Sequence, residues 1–227
     1  IYDSGTTYAS SQTFTLPTIP RASSVSCSTA DIGSNATITI NRASSSFTHT
    51  LTYAFGSLSG TIATKTSSTN ISWTLPTTFY GQIPNSKSGT GTITCQTYNG
   101  SSLIGSKSTS FTATVNESAS KPTLSPTVRD SNTTTTALTG DSSKFIKYYS
   151  NASVATGAKA RNSATLKSYK ITCGSKSLTS ASGTINAVES GSFTFSATDS
   201  RGYTTTQTIN KTLIDYIKLT CSMEAGA

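Results

Sequence analysis

The chain has 227 residues and a net charge of +8, from 17 basic and 9 acidic side chains, and only 11% of its residues are charged. That length is enough for two ordinary domains with a core each. Low charge, with recurring β-branched and aromatic residues, excludes the highly charged, aromatic-poor composition of disordered chains, and no apolar run approaches the ~20 residues of a membrane-spanning helix.

In chain order, residues 1–20 read as the end of a preceding domain or an extended tail. Phe14, Leu16 and Ile19 are strand-like, Pro17 and Pro20 stop the strand, and no basic start leads into an apolar core as in a secretion signal. Starting at Ile1 and ending just after a strand opening, the chain reads as a piece of a longer protein. A first module is expected over residues 21–117. Ala36–Ile40 alternates as a strand, and Phe47–Phe55 does so more strongly, with Phe47, His49, Leu51, Tyr53 and Phe55 in one phase. Thr92–Tyr98 and Ser110–Val115 form a closing pair, with Asn99-Gly100 as a turn signal between them. Ser118–Pro122 reads as a linker.

A second module is expected over residues 118–216. Leu166–Cys173 is its central strand, and Ser192–Thr198 and Tyr203–Leu213 are its closing pair, joined by Asp199-Ser200-Arg201-Gly202. Residues 217–227 read as the start of a further module or a C-terminal strand. The two modules are written as copies. Val25-Ser26-Cys27, Leu124-Ser125-Pro126 and Leu219-Thr220-Cys221 look like one strand opening. Leu58-Ser59-Gly60-Thr61-Ile62 recurs as Leu178 followed by Ser182-Gly183-Thr184-Ile185, and Gly91–Cys95 recurs as Gly191–Phe195. Roughly 100 residues per copy, with many short strands, suggest tandem immunoglobulin-like β-sandwiches in an all-β protein. The connections differ: module 1 has a long segment between Ile62 and Gly91, and module 2 has one between Arg129 and Thr165.

Chemistry is sparse. The four cysteines, Cys27, Cys95, Cys173 and Cys221, lack the close pairing of a zinc site. Cys27 and Cys95 could meet as an inter-sheet disulfide, although Pro126 and Phe195 in the second copy favour Cys95 as a small buried hydrophobe. His49, the sole histidine, is in phase with the buried face and has no orienting carboxylate nearby in sequence. Asp130, Asp141 and Asp199 look like turn formers rather than a catalytic pair. No catalytic, cofactor-binding or metal site is expected, and the chain reads as non-enzymatic.

Charge is uneven. Lys144, Lys147, Lys159, Arg161, Lys167 and Lys170 follow one another with no acidic residue between. Lys144, Lys147, Tyr148 and Tyr149 form the candidate surface-binding site, since cations mixed with aromatics suit polyanions or sugars. The plainer reading is a solvated face with Phe145 or Ile146 in the core. If a glycan site exists, its aromatic candidates are Trp73, Tyr80, Tyr148 and Tyr149.

Several stretches carry a likeness to a known group: Phe14–Ser23, Phe47–Gly60, Gln82–Ser86, Ala158–Ile171 and Ala197–Gly202. The chain resembles tail proteins of siphophages and prophages of Gram-positive bacteria, with tandem immunoglobulin-like modules after an N-terminal domain. The resemblance implies a virion component at the tail tip, baseplate or tail fibre that contributes to host adsorption. Its implied partners are other phage tail proteins and host cell-wall polysaccharide, with no membrane partner and with homo-oligomerisation through parts outside this chain. The alternatives are a bacterial cell-surface adhesin and glycan-binding modules of a cell-wall-associated protein.

Overall fold

Period-two alternation produces most of the strands. The computed structural model describes residues 21–216, so the expected tail over residues 1–20 and the third opening at Leu219-Thr220-Cys221 lie outside the described residues. Module 1 contains β1 (Ser24–Cys27), β2 (Ala30–Asp31), β3 (Asn35–Asn41), β4 (Phe47–Phe55), β5 (Leu58–Thr66), β6 (Asn70–Thr74), β7 (Ser88–Asn99) and β8 (Ser102–Thr114). In β3 the apolar Ala36, Ile38 and Ile40 are buried, while Asn35, Thr37, Thr39 and Asn41 face solvent. The strands form two sheets, β1-β3-β6 and β2-β8-β7-β4-β5. All pairs are antiparallel except β2 with β8. Between the sheets, Phe55 stacks on Phe79 at 4.3 Å and Trp73 meets Phe111 edge-on at 5.1 Å. Such aromatic pairs contribute about 0.5–1.5 kcal/mol each beyond their buried area.

Module 2 contains α1 (Glu117–Ser120), β9 (Thr127–Asp130), α2 (Thr133–Thr139), β10 (Lys144–Ile146), β11 (Ala152–Ala155), β12 (Leu166–Cys173), β13 (Lys176–Leu178), β14 (Ser182–Ile185), β15 (Ser192–Asp199), β16 (Thr204–Asn210) and β17 (Thr212–Ile214). One sheet is β14-β11-β9, the other β13-β12-β15-β16, and β10 pairs in parallel with β17. This reproduces module 1, with β9, β11 and β14 standing for β1, β3 and β6, and the β10–β17 ladder for β2–β8. Phe145, Phe193, Phe195, Ile171 and Val188 are fully buried in its core. The fold is all-β, built from two-sheet sandwiches of immunoglobulin-like arrangement.

Register explains one of the repeats. Leu51 lies opposite Cys95 and Ile171 opposite Phe195, which makes Gly91 and Gly191 equivalent. A Cβ at Gly91 would strike the Phe111 ring and the Ala54 carbonyl, and one at Gly191 would strike the Lys211 carbonyl. Glycine recurs there because the neighbouring strand leaves no room for a side chain.

Two other repeats do not survive. Leu124-Ser125-Pro126 lies before β9, not in a strand. Ser182–Ile185 is not the counterpart of Leu58–Ile62. It forms β14 and pairs with β11, so it stands for β6, while β13 takes the place of β5. Alternation sets which side chains point inward, but it does not say which of two sheets a strand joins.

The other sequence expectations fall as follows. His49 is buried on the inner face, its Nε2 2.9 Å from Ser23 Oγ. Cys27, Cys95 and Cys173 are free thiols, and Cys95 is fully buried, with its pKa raised to about 11 by burial. Asp130, Asp141 and Asp199 all accept backbone N–H groups of following turns.

Candidate functional site

Two places bring side chains together in ways the local sequence does not announce: the junction of the modules and the far end of module 2. The junction is built on the turn between β15 and β16. Asp199 Oδ1 accepts from the backbone N–H groups of Arg201 and Tyr203, both at 2.9 Å, and Gly202 closes the turn at φ +83°. The turn then points Arg201 into module 1. Its Nε donates to the Ile83 carbonyl at 3.2 Å, and its Nη2 to the carbonyls of Tyr80 at 3.2 Å and Asn162 at 2.6 Å. Ser200 Oγ donates to the Pro84 carbonyl at 2.7 Å, and Tyr203 OH to the Val115 carbonyl at 2.9 Å. Arg201 is 5% exposed, and Tyr203 packs in the core cluster of module 1.

The receiving surface consists of backbone carbonyls, and the inserted groups are donors. A planar guanidinium suits several carbonyls at once, which an ammonium does not. Burial pulls the Arg201 pKa down and the neighbouring Asp199 carboxylate opposes that shift; the group remains cationic. The short 3₁₀ helix Thr77–Gln82 carries Tyr80, whose hydroxyl donates to the Ile32 carbonyl at 3.2 Å. The long segment between β6 and β7 is therefore the seat of the junction.

The far end of module 2 is made from the turn after β10, the helix α2 and the exit of β17. The backbone of this turn matches one in module 1. Ile32, Gly33 and Ser34 donate to the carbonyls of Thr114, Leu75 and Asp31, and Lys147, Tyr148 and Tyr149 donate to those of Ile214, Val188 and Ile146. Gly33 has φ +86° and Tyr148, its counterpart, φ +64°. A bulky aromatic in the left-handed region costs about 1–2 kcal/mol relative to glycine. Tyr148 nonetheless holds this position, with 60% of its surface in solvent.

Beside it, Tyr149, Tyr216 and Leu138 line an open groove of about 380 Å³ with Asn132, Thr134, Thr135 and Ile146. The rings of Tyr149 and Tyr216 meet nearly perpendicularly, 5.3 Å apart. Asn132 caps α2 by accepting from Thr134 N and donates from Nδ2 to the Tyr149 carbonyl. Below the groove, Asp130 Oδ2 accepts from the hydroxyls of Thr135 and Ser150, each at 2.6 Å, and this anchors α2.

Of the four residues singled out from sequence, Tyr148 and Tyr149 are exposed and only Tyr149 lines the groove. Lys144 lies 3.8 Å from Asp141, and Lys147 lies 3.6 Å from Asp215 and 5.4 Å from the Tyr148 ring centre. Each lysine therefore has a carboxylate neighbour: Asp141 lies three residues before Lys144 in sequence, whereas Asp215 is far from Lys147 in sequence and meets it only in the fold. Phe145 and Ile146, between them, are both core residues. Trp73 and Tyr80 drop out as exposed aromatics, since Trp73 is buried and Tyr80 serves the junction. Sequence reasoning missed Leu138 and Tyr216. Aligning Tyr148 with Gly33 would have signalled the strained turn. Among the described residues no cluster of three or more metal-ligating side chains occurs, and no helix is long and apolar enough to cross a membrane.

The profile of a family described as siphovirus protein of unknown function (DUF859) matches residues 2–226. No curated protein matches the sequence. Among solved structures, the chain is similar to the three-domain ectodomain of mouse nectin-like molecule 4, at 11% identity and TM-score 0.32, over 88% of this chain and 67% of that one. It is also similar to murine CEACAM1b, at 10% identity and TM-score 0.32, over 84% of this chain and 100% of that one.

Proposed function

We infer a function from one premise: the chain belongs to the siphovirus protein family whose profile spans residues 2–226. It is a structural protein of the phage particle, and we assign it to the tail, at the tip, baseplate or fibre, where it contributes to host adsorption without performing catalysis. The family match over nearly the whole chain carries this reading. The junction supports it mechanically. Four side-chain hydrogen bonds cross the junction, three of them donated by the buried Arg201 and Tyr203, and breaking bonds of buried donors is costly. Serial sandwiches with a stiff joint suit reach and display rather than bond-making.

Other tail proteins are its partners in this reading, and its location is the virion. Immunogold electron microscopy with antibodies raised against this chain tests it. Label confined to the tails of purified particles is the expected result. Undecorated particles, or label only on the bacterial envelope, would overturn it in favour of a cell-surface adhesin.

A further inference from the structure

The two module ends that point the same way along the chain are built differently, and the difference bears on what each accepts. Module 1 turns the carbonyls of Tyr80, Ile83, Pro84 and Val115 toward module 2, whose side-chain donors reach them, those of Tyr80 and Ile83 also accepting from Ile83 N and Ser86 N of their own loop. In module 2 the corresponding loop is short and its carbonyls are already engaged. Asn186 O accepts from Lys176 Nζ, Val188 O from Tyr148 N, and Ser190 O from Cys173 Sγ. The seat that receives a neighbouring sandwich in module 1 is not reproduced. What stands in its place is an aromatic groove whose Tyr149 follows the strained Tyr148 in sequence.

We propose that this groove is a saccharide subsite that takes one or two units of an uncharged sugar chain against the rings of Tyr149 and Tyr216. The inference rests on the adsorption reading above and names the chemistry that adsorption would use. A volume of about 380 Å³ falls at the small end of ligand pockets. It suits a sugar ring better than an inserted protein turn. The two perpendicular rings form a corner that can meet one apolar C–H face and one edge of a pyranose. Tyr216 and Tyr149 are 51% and 46% exposed, so the stacking surface is open.

Charge favours a neutral chain over a polyanion. Among the described residues no cation lines the groove, and Lys144 and Lys147 beside it in sequence each have a carboxylate within 4 Å, which offsets their charge. The hydrogen bonds of Asn132 to Thr134 N and the Tyr149 carbonyl hold the rim in place before any ligand arrives. Such preorganisation lowers the ordering cost of binding. Tyr148, next in sequence to Tyr149, is itself exposed, on the turn where module 1 uses glycine.

The test is titration of the whole chain, followed by NMR, with hexasaccharides of glucose, of galactose and of N-acetylglucosamine, and with poly(glycerol phosphate) as an anionic probe. At least one neutral hexasaccharide is expected to bind, with affinity changing less than about twofold between 50 and 500 mM salt, since no phosphate contacts are involved. Tyr149→Ala and Tyr216→Ala should each weaken it about tenfold or more, the loss typical of truncating a central aromatic contact. Tyr149→Phe should retain most of it, and Leu103→Ala, at the other end of the molecule, should change nothing. The phenylalanine variant keeps the test meaningful if an alanine variant unfolds. Absence of binding by every neutral probe at 10 mM overturns the proposal, as does binding only of the anionic probe with steep loss in salt. Self-association through the groove that Tyr216→Ala abolishes would also overturn it, by making the face a protein contact. None of these outcomes affects immunogold labelling of tails, so failure of the subsite leaves the virion assignment standing.

Discussion

Module 1 and module 2 share a strand plan and spend their variable segments at the same end in opposite ways. Module 1 lengthens the segment between β6 and β7, and the resulting carbonyl-rich seat is filled by Arg201 and Tyr203. Module 2 shortens that segment and lengthens the one between β9 and β11, where α2 and the turn at Tyr148 build an exposed aromatic groove. One end is closed by donors on acceptors, and the other is left open with its polar groups engaged internally. Specialisation here follows connection length, while the β core stays constant.

The largest expected effect breaks the closed end. Arg201→Met removes the guanidinium and with it the hydrogen bonds to the carbonyls of Tyr80, Ile83 and Asn162. The cost should be about 2–4 kcal/mol, and calorimetry should resolve two transitions in place of one coupled transition. Arg201→Lys should recover little, because an ammonium lacks the planar fork. An unchanged single transition in Arg201→Met would mean that the junction does not couple the modules.

Next in size is the support of the open end. Asp130→Ala removes the acceptor for Asn132 N and for the hydroxyls of Thr135 and Ser150. A loss of about 2–3 kcal/mol is expected in module 2 alone, together with faster amide exchange through α2. Slow exchange retained in α2 would show that the helix is held by other contacts.

A smaller effect, of opposite sign, sharpens the comparison of the two turns. Tyr148→Gly gives module 2 the residue that module 1 already uses at positive φ. Stability should rise by about 1 kcal/mol, seen as a melting temperature a few degrees higher. A destabilised variant would imply that the Tyr148 ring makes contacts that outweigh its backbone strain.

The smallest effect is a pH dependence confined to module 1. Burial lowers the His49 pKa below its ordinary 6.5, and the Arg42 charge adds to the shift. The unfolded chain then binds a proton more readily than the folded one, so the associated stability is complete above the unfolded value. It is lost as pH falls from there toward the folded value. His49→Gln should flatten this slope between pH 7 and pH 5 in thermal melts, and an identical slope in the variant would assign it to other groups.

Much of the strand plan was legible in the sequence. Phe47–Phe55 and Leu166–Cys173 have the bounds expected from alternation, and the Asn99-Gly100 turn sits where expected, with Gly100 at φ +60°. These features are local, since side-chain period and turn chemistry act over a few residues. The candidate site was half legible. Tyr148 and Tyr149 stood out as aromatics among cations, but Asp215 is distant in sequence from Lys147, and Tyr216 from Tyr149. Their pairing arises only when β17 lies parallel to β10.

The sequence by itself determined an all-β, repeated, sparsely charged chain whose strands and tight turns follow from local pattern. Tertiary structure alone decided which sheet Ser182–Ile185 joins, that Arg201 crosses into a neighbouring module, and that three tyrosines gather at one end. Each of these depends on hydrogen-bond partners tens to more than a hundred residues away. Local propensity carries no record of which distant carbonyl or ring will be within reach.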